Sequence, residues 1–255
     1  MALETRVYED TQALAEAASV LALGKIQSAI QARGRALIVL AGGTTPRETY
    51  RRLAREITEN NVPADRLLWL FGDERWVPLN DPQSNEGMAR ESLLGPIGAP
   101  AATVISWEAG RGEPIDCAAR YAEKARAATR EGKADLVFLG VGADGHTASL
   151  FPDGIAHLSS GSVKVGPDVP GFAAAIYSQS AHGWRLTLCP AILNAAKTVV
   201  FLVAGQEKAQ ALQKARAGDP ATPAAWIRGE DTVFMVTRSA LGPEAANFGR
   251  EIRHA

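Results

Sequence analysis

The chain has 255 residues, of which 46% are hydrophobic and 22% charged, and its formal net charge is -1 at pH 7. This size and apolar content fit one large α/β domain, and we predict a single domain over residues 1–255. The near-neutral charge excludes the general basic footprint of a nucleic-acid-binding protein. The two cysteines, Cys117 and Cys189, are too few for a disulfide framework and do not form a CxxC metal pattern.

The N-terminal segment, residues 1–10, is charged and polar, unlike a secretory signal. No unbroken apolar run approaches the roughly 18 residues of a membrane span. We therefore expect a cytoplasmic protein with no membrane or nucleic-acid partner. We also expect a monomer or a weak homo-oligomer.

The first part of the chain predicts a helix, a buried strand and a second helix. Residues 11–33 have apolar side chains at helical spacing, and residues 36–41 (ALIVLA) form a short buried strand. The turn Gly42-Gly43-Thr44-Thr45-Pro46 follows, and a helix continues over residues 48–57. A double glycine, two hydroxyls and a helix N-terminus predict an anion site. The alternative is an ordinary capped turn.

A group of charged residues follows the next predicted strand, residues 67–71 (LLWLF). Asp73, Glu74 and Arg75 stand directly after this strand, where burial is costly unless the charges have partners or a role. We take Asp73 and Arg75 as candidate site residues, and the alternative is that the three charges form an ion-pair cluster at the rim. Further on we predict a helix capped by Ser84 or Asn85 that runs to residue 94, a short strand near residues 103–106, and a helix over residues 115–130.

The stretch DLVFLGVGADGHTASLFP, residues 135–152, combines a buried strand with a glycine-rich turn. Its apolar residues predict a parallel strand, and the glycines let the backbone turn tightly. Asp144 and His146 lie in this turn, before a short predicted helix. Since ligands bind at the carboxyl ends of strands in open α/β sheets, this turn is a candidate catalytic site.

Two other interpretations of this turn compete with a catalytic one. Gly140-x-Gly142-x-x-Gly145 matches a dinucleotide fingerprint, but residues 152–154 (PDG) end any helix early, and Asp168 lies between two prolines. A histidine that merely caps a helix is the second alternative. The presence of Asp144 two residues from His146 weighs against it.

The second half of the chain continues the alternation of strands and helices. Residues 152–171 contain four glycines and three prolines and predict a loop that could hold a mobile lid. Arg185 lies on a predicted strand, and Lys208 lies in the first turn of a predicted helix, where a cation opposes the helix dipole. Lys208 is thus a candidate anion ligand, with a solvated lysine as the alternative. The other predicted elements are strands at residues 172–177, 184–188, 198–204 and 232–236, and helices at residues 190–196, 206–217 and from residue 222.

This alternation predicts an α/β fold with a mostly parallel sheet covered on both faces. Four blocks, in chain order, then resemble the 6-phosphogluconolactonase family. The third is specific, whereas the first alone is a weak signal. The blocks are AGGTTP (residues 41–46), GDERWVPLNDPQSN (72–85), LGVGADGHTASLFP (139–152) and RLTLCPAILNAAKTVVFLVAGQEKAQAL (185–212).

Glucosamine-6-phosphate isomerases share the fold implied by this resemblance, a three-layer α/β/α, Rossmann-like arrangement. In that family the Asp-Glu pair is followed by Tyr, and Asp-Gly-His by Ile-Ala-Phe-Asn. Arg75 and residues 147–151 (TASLF) favour the lactonase. Trp76 and residues 154–183 depart from the common pattern, and residues 178–183 replace an expected proline-rich stretch. These departures concern the sugar contacts more than the reaction class.

The resemblance implies hydrolysis of 6-phospho-D-glucono-1,5-lactone in the pentose phosphate pathway, with no cofactor and no metal. His146 is expected to activate water as a general base, with Asp144 as its partner. Arg75 and Lys208 are expected to hold the phosphate together with the turn Gly42, Gly43, Thr44 and Thr45. Arg185 is expected to bind the phosphate or polarise the carbonyl, and Asp73 to order Arg75.

The sequence lacks the motifs of a serine hydrolase and of a zinc hydrolase. The chain has no GxSxG elbow, and its histidines (His146, His157, His182 and His254) are scattered with no HExxH zinc pattern. Two alternative functions remain. One is a hexosamine phosphate isomerase or deaminase with Asp73 as base, and the other is a non-catalytic sugar-phosphate sensor.

Overall fold

The structure, a computed structural model, describes residues 2–129 and 133–247. His254 and the predicted end of the helix at residue 130 lie outside the described residues. In chain order the strands are β1 (Ala2–Tyr8), β2 (Ala36–Leu40), β3 (Leu67–Phe71), β4 (Asp73–Arg75), β5 (Leu136–Leu139), β6 (Ile155–Leu158), β7 (Gly161–Lys164), β8 (Ala173–Ser178), β9 (Gly183–Leu188), β10 (Thr198–Val203) and β11 (Asp231–Thr237). The helices are α1 (Thr11–Arg33), α2 (Thr44–Glu59), α3 (Asn85–Ala89), α4 (Pro114–Thr129), α5 (Pro190–Asn194) and α6 (Ala209–Ala217).

A parallel sheet of six strands forms the core, in the order β1-β11-β10-β5-β2-β3. Every residue of β2, β5 and β10 is buried, because helices or other chain segments cover both faces. This explains why the strands appear in the sequence as unbroken apolar runs. The predicted α/β class, with a parallel sheet flanked by helices, is confirmed.

Helix α1 packs against α2 and the parallel sheet. Among the described residues it is the one helix whose length and mean hydropathy would allow it to cross a membrane. This was not expected from the sequence, because Glu16 and Lys25 interrupt its apolar residues. Leu14, Ala18 and Ile26 on its inner side are almost completely buried.

A second sheet is antiparallel, with the order β4-β9-β8-β6-β7. It was not predicted, and it corrects two expectations. The strands expected near residues 172–177 and 184–188 exist, but they belong to this sheet. The predicted loop at residues 152–171 is wrong over much of its length, because β6 and β7 form a hairpin there. All four residues of β7 are exposed, so the hairpin lacks the apolar pattern that marks a strand in sequence.

Three smaller predictions also differ from the structure. No helix follows His146, because residues 147–150 close a tight turn in which the Leu150 N–H donates to the Thr147 carbonyl at 2.9 Å. The strand expected near residues 103–106 is reduced to a single bridge between Val104 and Trp69. Residues 206–208 form a 3₁₀ turn, which places Lys208 at the N-cap of α6.

Candidate active site

A cavity of about 530 Å³ opens at the carboxyl ends of the parallel strands. Its walls are the turns after β2, β5 and β10 on one side, and β4, β9 and the β8–β9 turn on the other. Every site residue predicted from the sequence lines it except Asp144, which contacts His146 instead. The predicted residues that line it are Gly42, Gly43, Thr44, Thr45, Asp73, Arg75, His146, Arg185 and Lys208.

The turn after β5 holds His146 and Asp144 in contact. Asp144 Oδ1 lies 2.5 Å from His146 Nδ1 and also accepts from the His146 backbone N–H at 3.1 Å. The turn is closed by the Gly142 N–H, which donates to the His146 carbonyl at 2.8 Å. Gly142 is required here, since a Cβ on it would lie 2.1 Å from His146 Nδ1. The spacing of glycine, acid and histidine therefore has a steric cause.

The acid of this pair is ionised under ordinary conditions. Partial burial acts to raise the pKa of Asp144, but the hydrogen bond and the charge of His146 outweigh it, and the pKa lies below its usual value. A carboxylate at Nδ1 favours the tautomer that carries its proton there, which leaves the lone pair on Nε2. The other side of the imidazole packs against Phe151, with 4.4 Å between the ring centroids. The geometry suits a general base with a fixed orientation.

The turn after β2 presents backbone donors to the cavity. Gly43 has a φ of 111° and is the N-cap of α2, with no side-chain hydrogen bond to satisfy the first turn. The first N–H groups of a helix have no intrahelical partner, and together with the helix dipole they favour an anion. Gly42 is also sterically required, because a Cβ there would lie 1.7 Å from Asn85 Oδ1.

The two acids that begin β4 are buried and hydrogen-bonded. Asp73 accepts from Ser149 Oγ at 2.8 Å and from Asn85 Nδ2 at 3.2 Å. Its described partners do not include the Arg75 guanidinium, so the structure does not support the expectation that Asp73 orders Arg75. The alternative of an ion-pair cluster at the rim is likewise not what the structure shows.

Glu74 links the end of β4 to the start of α3 through hydrogen bonds to the backbone. Its carboxylate accepts from the backbone N–H groups of Arg75, Asn85 and Glu86 at 2.7–2.8 Å. Burial raises the pKa of Glu74 to about 7, although these three hydrogen bonds act in the opposite direction. Glu74 thus helps to place its neighbours Asp73 and Arg75 at the cavity, which it does not itself line.

Three cations line the cavity. Arg75 and Arg185 are direct partners across the antiparallel strands β4 and β9, an arrangement that costs free energy when two like charges lie opposite each other. Burial, and next the charge of Arg75, lower the pKa of Arg185. Among the residues that the structure describes, neither arginine nor Lys208 forms an ion pair. Cations in this state are suited to bind an anionic ligand.

Comparison with known proteins identifies the family. Residues 9–235 match the sequence model of the family described as glucosamine-6-phosphate isomerases/6-phosphogluconolactonase. The chain belongs to this family. It is 35% identical over 219 residues to a 6-phosphogluconolactonase of Synechocystis sp., an alignment that covers 83% of this chain and 84% of the relative.

Solved structures agree with this assignment. The crystal structure of a 6-phosphogluconolactonase from Thermotoga maritima has a TM-score of 0.77 and 27% identity, and covers 92% of this chain and 99% of that chain. A monomeric glucosamine-6-phosphate deaminase has a TM-score of 0.76 at 19% identity, covering 93% of this chain and 98% of that chain. The second likeness shows the fold alone. The fold is therefore shared with a deaminase as well as with 6-phosphogluconolactonases.

In this family member, several residues at the cavity were not predicted as site residues. Asn85 was expected only as a helix cap, yet it lines the cavity and contacts Asp73. Ser149 also lines the cavity and bonds Asp73 across 76 positions of sequence, so no local signal could have paired them. His182 and Glu207 line the cavity as well. Within the described parts of the chain, no three His, Cys, Asp or Glu residues are grouped as a metal site would require.

Proposed function

We propose that this protein hydrolyses 6-phospho-D-glucono-1,5-lactone to 6-phosphogluconate in the oxidative pentose phosphate pathway. The observation that carries the proposal is one cavity lined by an imidazole that a carboxylate orients and by three cations with no ion-pair partner among the described residues. The names of the relatives support it, because proteins called 6-phosphogluconolactonases are similar over most of the chain. The proposal includes a cytoplasmic location and a monomer or weak homo-oligomer.

In the proposed mechanism His146 is the general base. With the Nδ1 proton directed to Asp144, Nε2 takes a proton from a water molecule as that water attacks the lactone carbonyl. The imidazolium that forms is stabilised by the Asp144 carboxylate 2.5 Å away. It then returns the proton to the ring oxygen as the C1–O bond breaks. A lactone carbonyl is already electrophilic, so the mechanism needs no covalent acyl-enzyme.

The cations and the α2 turn bind the substrate in this proposal. Arg75 and Lys208 hold the phosphate together with the Gly42–Thr45 turn, and Arg185 binds the phosphate or polarises the carbonyl. The phosphate is remote from C1, so its binding energy orients the reacting carbon against the base. The Arg75–Arg185 repulsion is relieved when an anion lies between the two guanidinium groups, which favours the bound state.

The alternative in the same family is an amino sugar phosphate isomerase or deaminase. Two observations keep this alternative in consideration: Asp73 is a buried acid at the same cavity, and the fold is shared with a deaminase. Such a reaction moves a proton between C1 and C2 and needs a base over C2. Asp73 instead accepts hydrogen bonds from Ser149 and Asn85, which reduces its availability as a base.

The test is to supply both substrates to the purified protein. Acid release from 6-phosphogluconolactone is followed with the spontaneous rate subtracted, and ammonia release from glucosamine-6-phosphate is followed separately. We expect lactone hydrolysis and no ammonia. Ammonia release without lactone hydrolysis would overturn the proposal in favour of the deaminase. If neither substrate reacts and 6-phosphogluconate still binds, the protein is a sensor.

A further inference from the structure

His182 is a residue at the cavity that the proposed mechanism does not use. It lies in the turn between β8 and β9, is exposed, and lines the same cavity as His146. The two imidazoles come from different sheets. His146 follows the central strand β5, whereas His182 approaches from the antiparallel sheet.

The backbone at His182 is in the left-handed region, with a φ of 56°. This region is unfavourable for most residues other than glycine, although histidine enters it more readily than most. A glycine at this position would have no such cost, and glycine does occupy the next position, 183. Strained backbone conformations cluster at binding and active sites, which makes His182 a candidate for a role in ligand binding.

The turn that carries His182 is held in place by Asp153. The Asp153 carboxylate accepts from the Ser180 backbone N–H at 3.0 Å and from the hydroxyls of Ser178 and Ser180 at 2.7 and 2.8 Å. The Ser180 backbone bond, foremost among these, lowers the pKa of Asp153 to about 2. The acid is therefore ionised throughout the neutral range, and the turn has a defined conformation.

The Arg185 guanidinium is also hydrogen-bonded to the backbone of this turn. Arg185 donates to the Ala181 carbonyl at 2.7 Å and to the Trp184 carbonyl at 2.9 Å, on either side of His182. Arg185 in turn lies opposite Arg75 on β4. His182 thus stands beside a pair of cations that have no ion-pair partner in the described chain. These cations favour an anionic ligand group at this position, and in the proposed substrate the anionic group is the phosphate.

We propose that His182 is a specificity-determining residue that donates a hydrogen bond to the phosphate of the substrate. This inference rests on the proposed function, because it takes its ligand from there. With C1 at His146, Arg185 takes the first of its two proposed roles and binds the phosphate, which then lies beside the β8–β9 turn. His182 then selects phosphorylated lactones and takes no part in proton transfer at C1.

The experiment compares His182→Gly and His182→Asn with the wild-type protein and with Gln179→Ala. Glycine removes the side chain and tolerates the positive φ, and asparagine also tolerates it while keeping a donor. Gln179 is exposed on the same turn, is not part of the cavity lining, and serves as the matched control. Hydrolysis of the phosphorylated lactone and of plain glucono-1,5-lactone is measured for each variant, together with 6-phosphogluconate binding by calorimetry.

We expect His182→Gly to raise KM for the phosphorylated lactone and Kd for 6-phosphogluconate roughly tenfold, as for the loss of one hydrogen bond to a charged group. Its kcat should stay within about twofold, and plain glucono-lactone hydrolysis should not change. His182→Asn should recover part of the loss. Equal effects on both lactones, or no effect on either KM or Kd, would overturn the role of His182.

The two proposals fail in distinguishable ways. If the wild-type protein hydrolyses the lactone and His182→Gly behaves like Gln179→Ala, the lactonase stands and the inference is wrong. If the wild-type protein hydrolyses nothing but binds 6-phosphogluconate, and His182→Gly weakens that binding, the phosphate contact stands without the lactonase. If the wild-type protein neither hydrolyses the lactone nor binds 6-phosphogluconate, both are wrong.

Discussion

The two sheets contribute different kinds of groups to the cavity. The parallel sheet contributes turns, which supply backbone N–H groups, the His146–Asp144 pair and Lys208. The antiparallel sheet contributes two arginines from paired strands, with Arg75 opposite Arg185. A turn can bring two polar groups of neighbouring residues into direct contact, which suits proton transfer. Paired strands instead hold charges from distant parts of the chain at a fixed spacing, which suits binding.

Replacing the general base, which the parallel sheet contributes, should have the largest effect on catalysis. His146→Ala removes the proton acceptor, so we expect kcat to fall by roughly 10²–10⁴-fold while the melting temperature changes little. The assay follows lactone hydrolysis after subtraction of the spontaneous rate. A fall of less than about threefold would remove His146 from the mechanism and would place the chemistry elsewhere in the cavity.

Loss of the binding cations should come next. Arg75→Ala or Lys208→Ala leaves the phosphate without one charged partner and should cost about 2–4 kcal/mol in kcat/KM on the phosphorylated lactone. Lys214→Ala is the matched control for Lys208, since Lys214 is exposed on α6 and does not line the cavity. Equal losses on plain glucono-lactone would contradict a phosphate role for both residues.

Two glycine substitutions after β5 test whether catalysis depends on the close packing that positions the His146 ring. Gly142→Ala places a Cβ 2.1 Å from His146 Nδ1, whereas a Cβ on Gly140 meets nothing within 4 Å. Displacement of the imidazole from its position should lower kcat by about tenfold or more in Gly142→Ala. Gly140→Ala should retain kcat within about twofold. Similar kinetics for the two variants would show that the position of the ring is not critical.

The smallest effect is expected from replacing Asp73, the acid of the antiparallel sheet that lines the cavity. Asp73→Asn preserves the shape of the side chain and removes its charge, so hydrolysis should fall by only about threefold to tenfold, the value of one lost hydrogen bond. The comparison is with His146→Ala under the same conditions. A larger loss in Asp73→Asn than in His146→Ala would assign proton transfer to Asp73 and favour the isomerase chemistry.

The sequence predicted one sheet well and the other poorly, for a physical reason. The strands β2, β5 and β10 are fully buried and β3 is buried except at Leu68, so their apolar runs can be recognised without any knowledge of the partner strands. The edge strand β1 contains the charged residues Glu4 and Arg6, so its composition resembles that of a loop, and the two side chains pair with each other at 2.9 Å. The hairpin β6–β7 is difficult to recognise in the sequence because all of β7 is exposed and only Ala156 of β6 is fully buried.

The site divides in a similar way. The contact between Asp144 and His146 spans two residues, so a glycine-rich turn at a strand end was enough to predict that they lie close together. The contacts of Asp73 with Asn85 and Ser149 span 12 and 76 positions and depend on how the sheets pack. The position of His182 at the cavity likewise depends on the pairing of β8 with β9. Contacts within one turn could be predicted from the sequence, whereas contacts between residues far apart in the chain could not.

The pairing of β1 with β11 has a consequence for how the protein is made. Residues 2–8 align with residues 231–237, so β1 leaves the ribosome long before the strand with which it pairs. Until then, the apolar side of α1 has no completed sheet to cover at that edge. Contacts so distant in sequence form slowly, and exposed strands and apolar helices are prone to aggregate while they wait. During synthesis, this edge of the sheet therefore stays unpaired and open to aggregation until residues 231–237 have emerged.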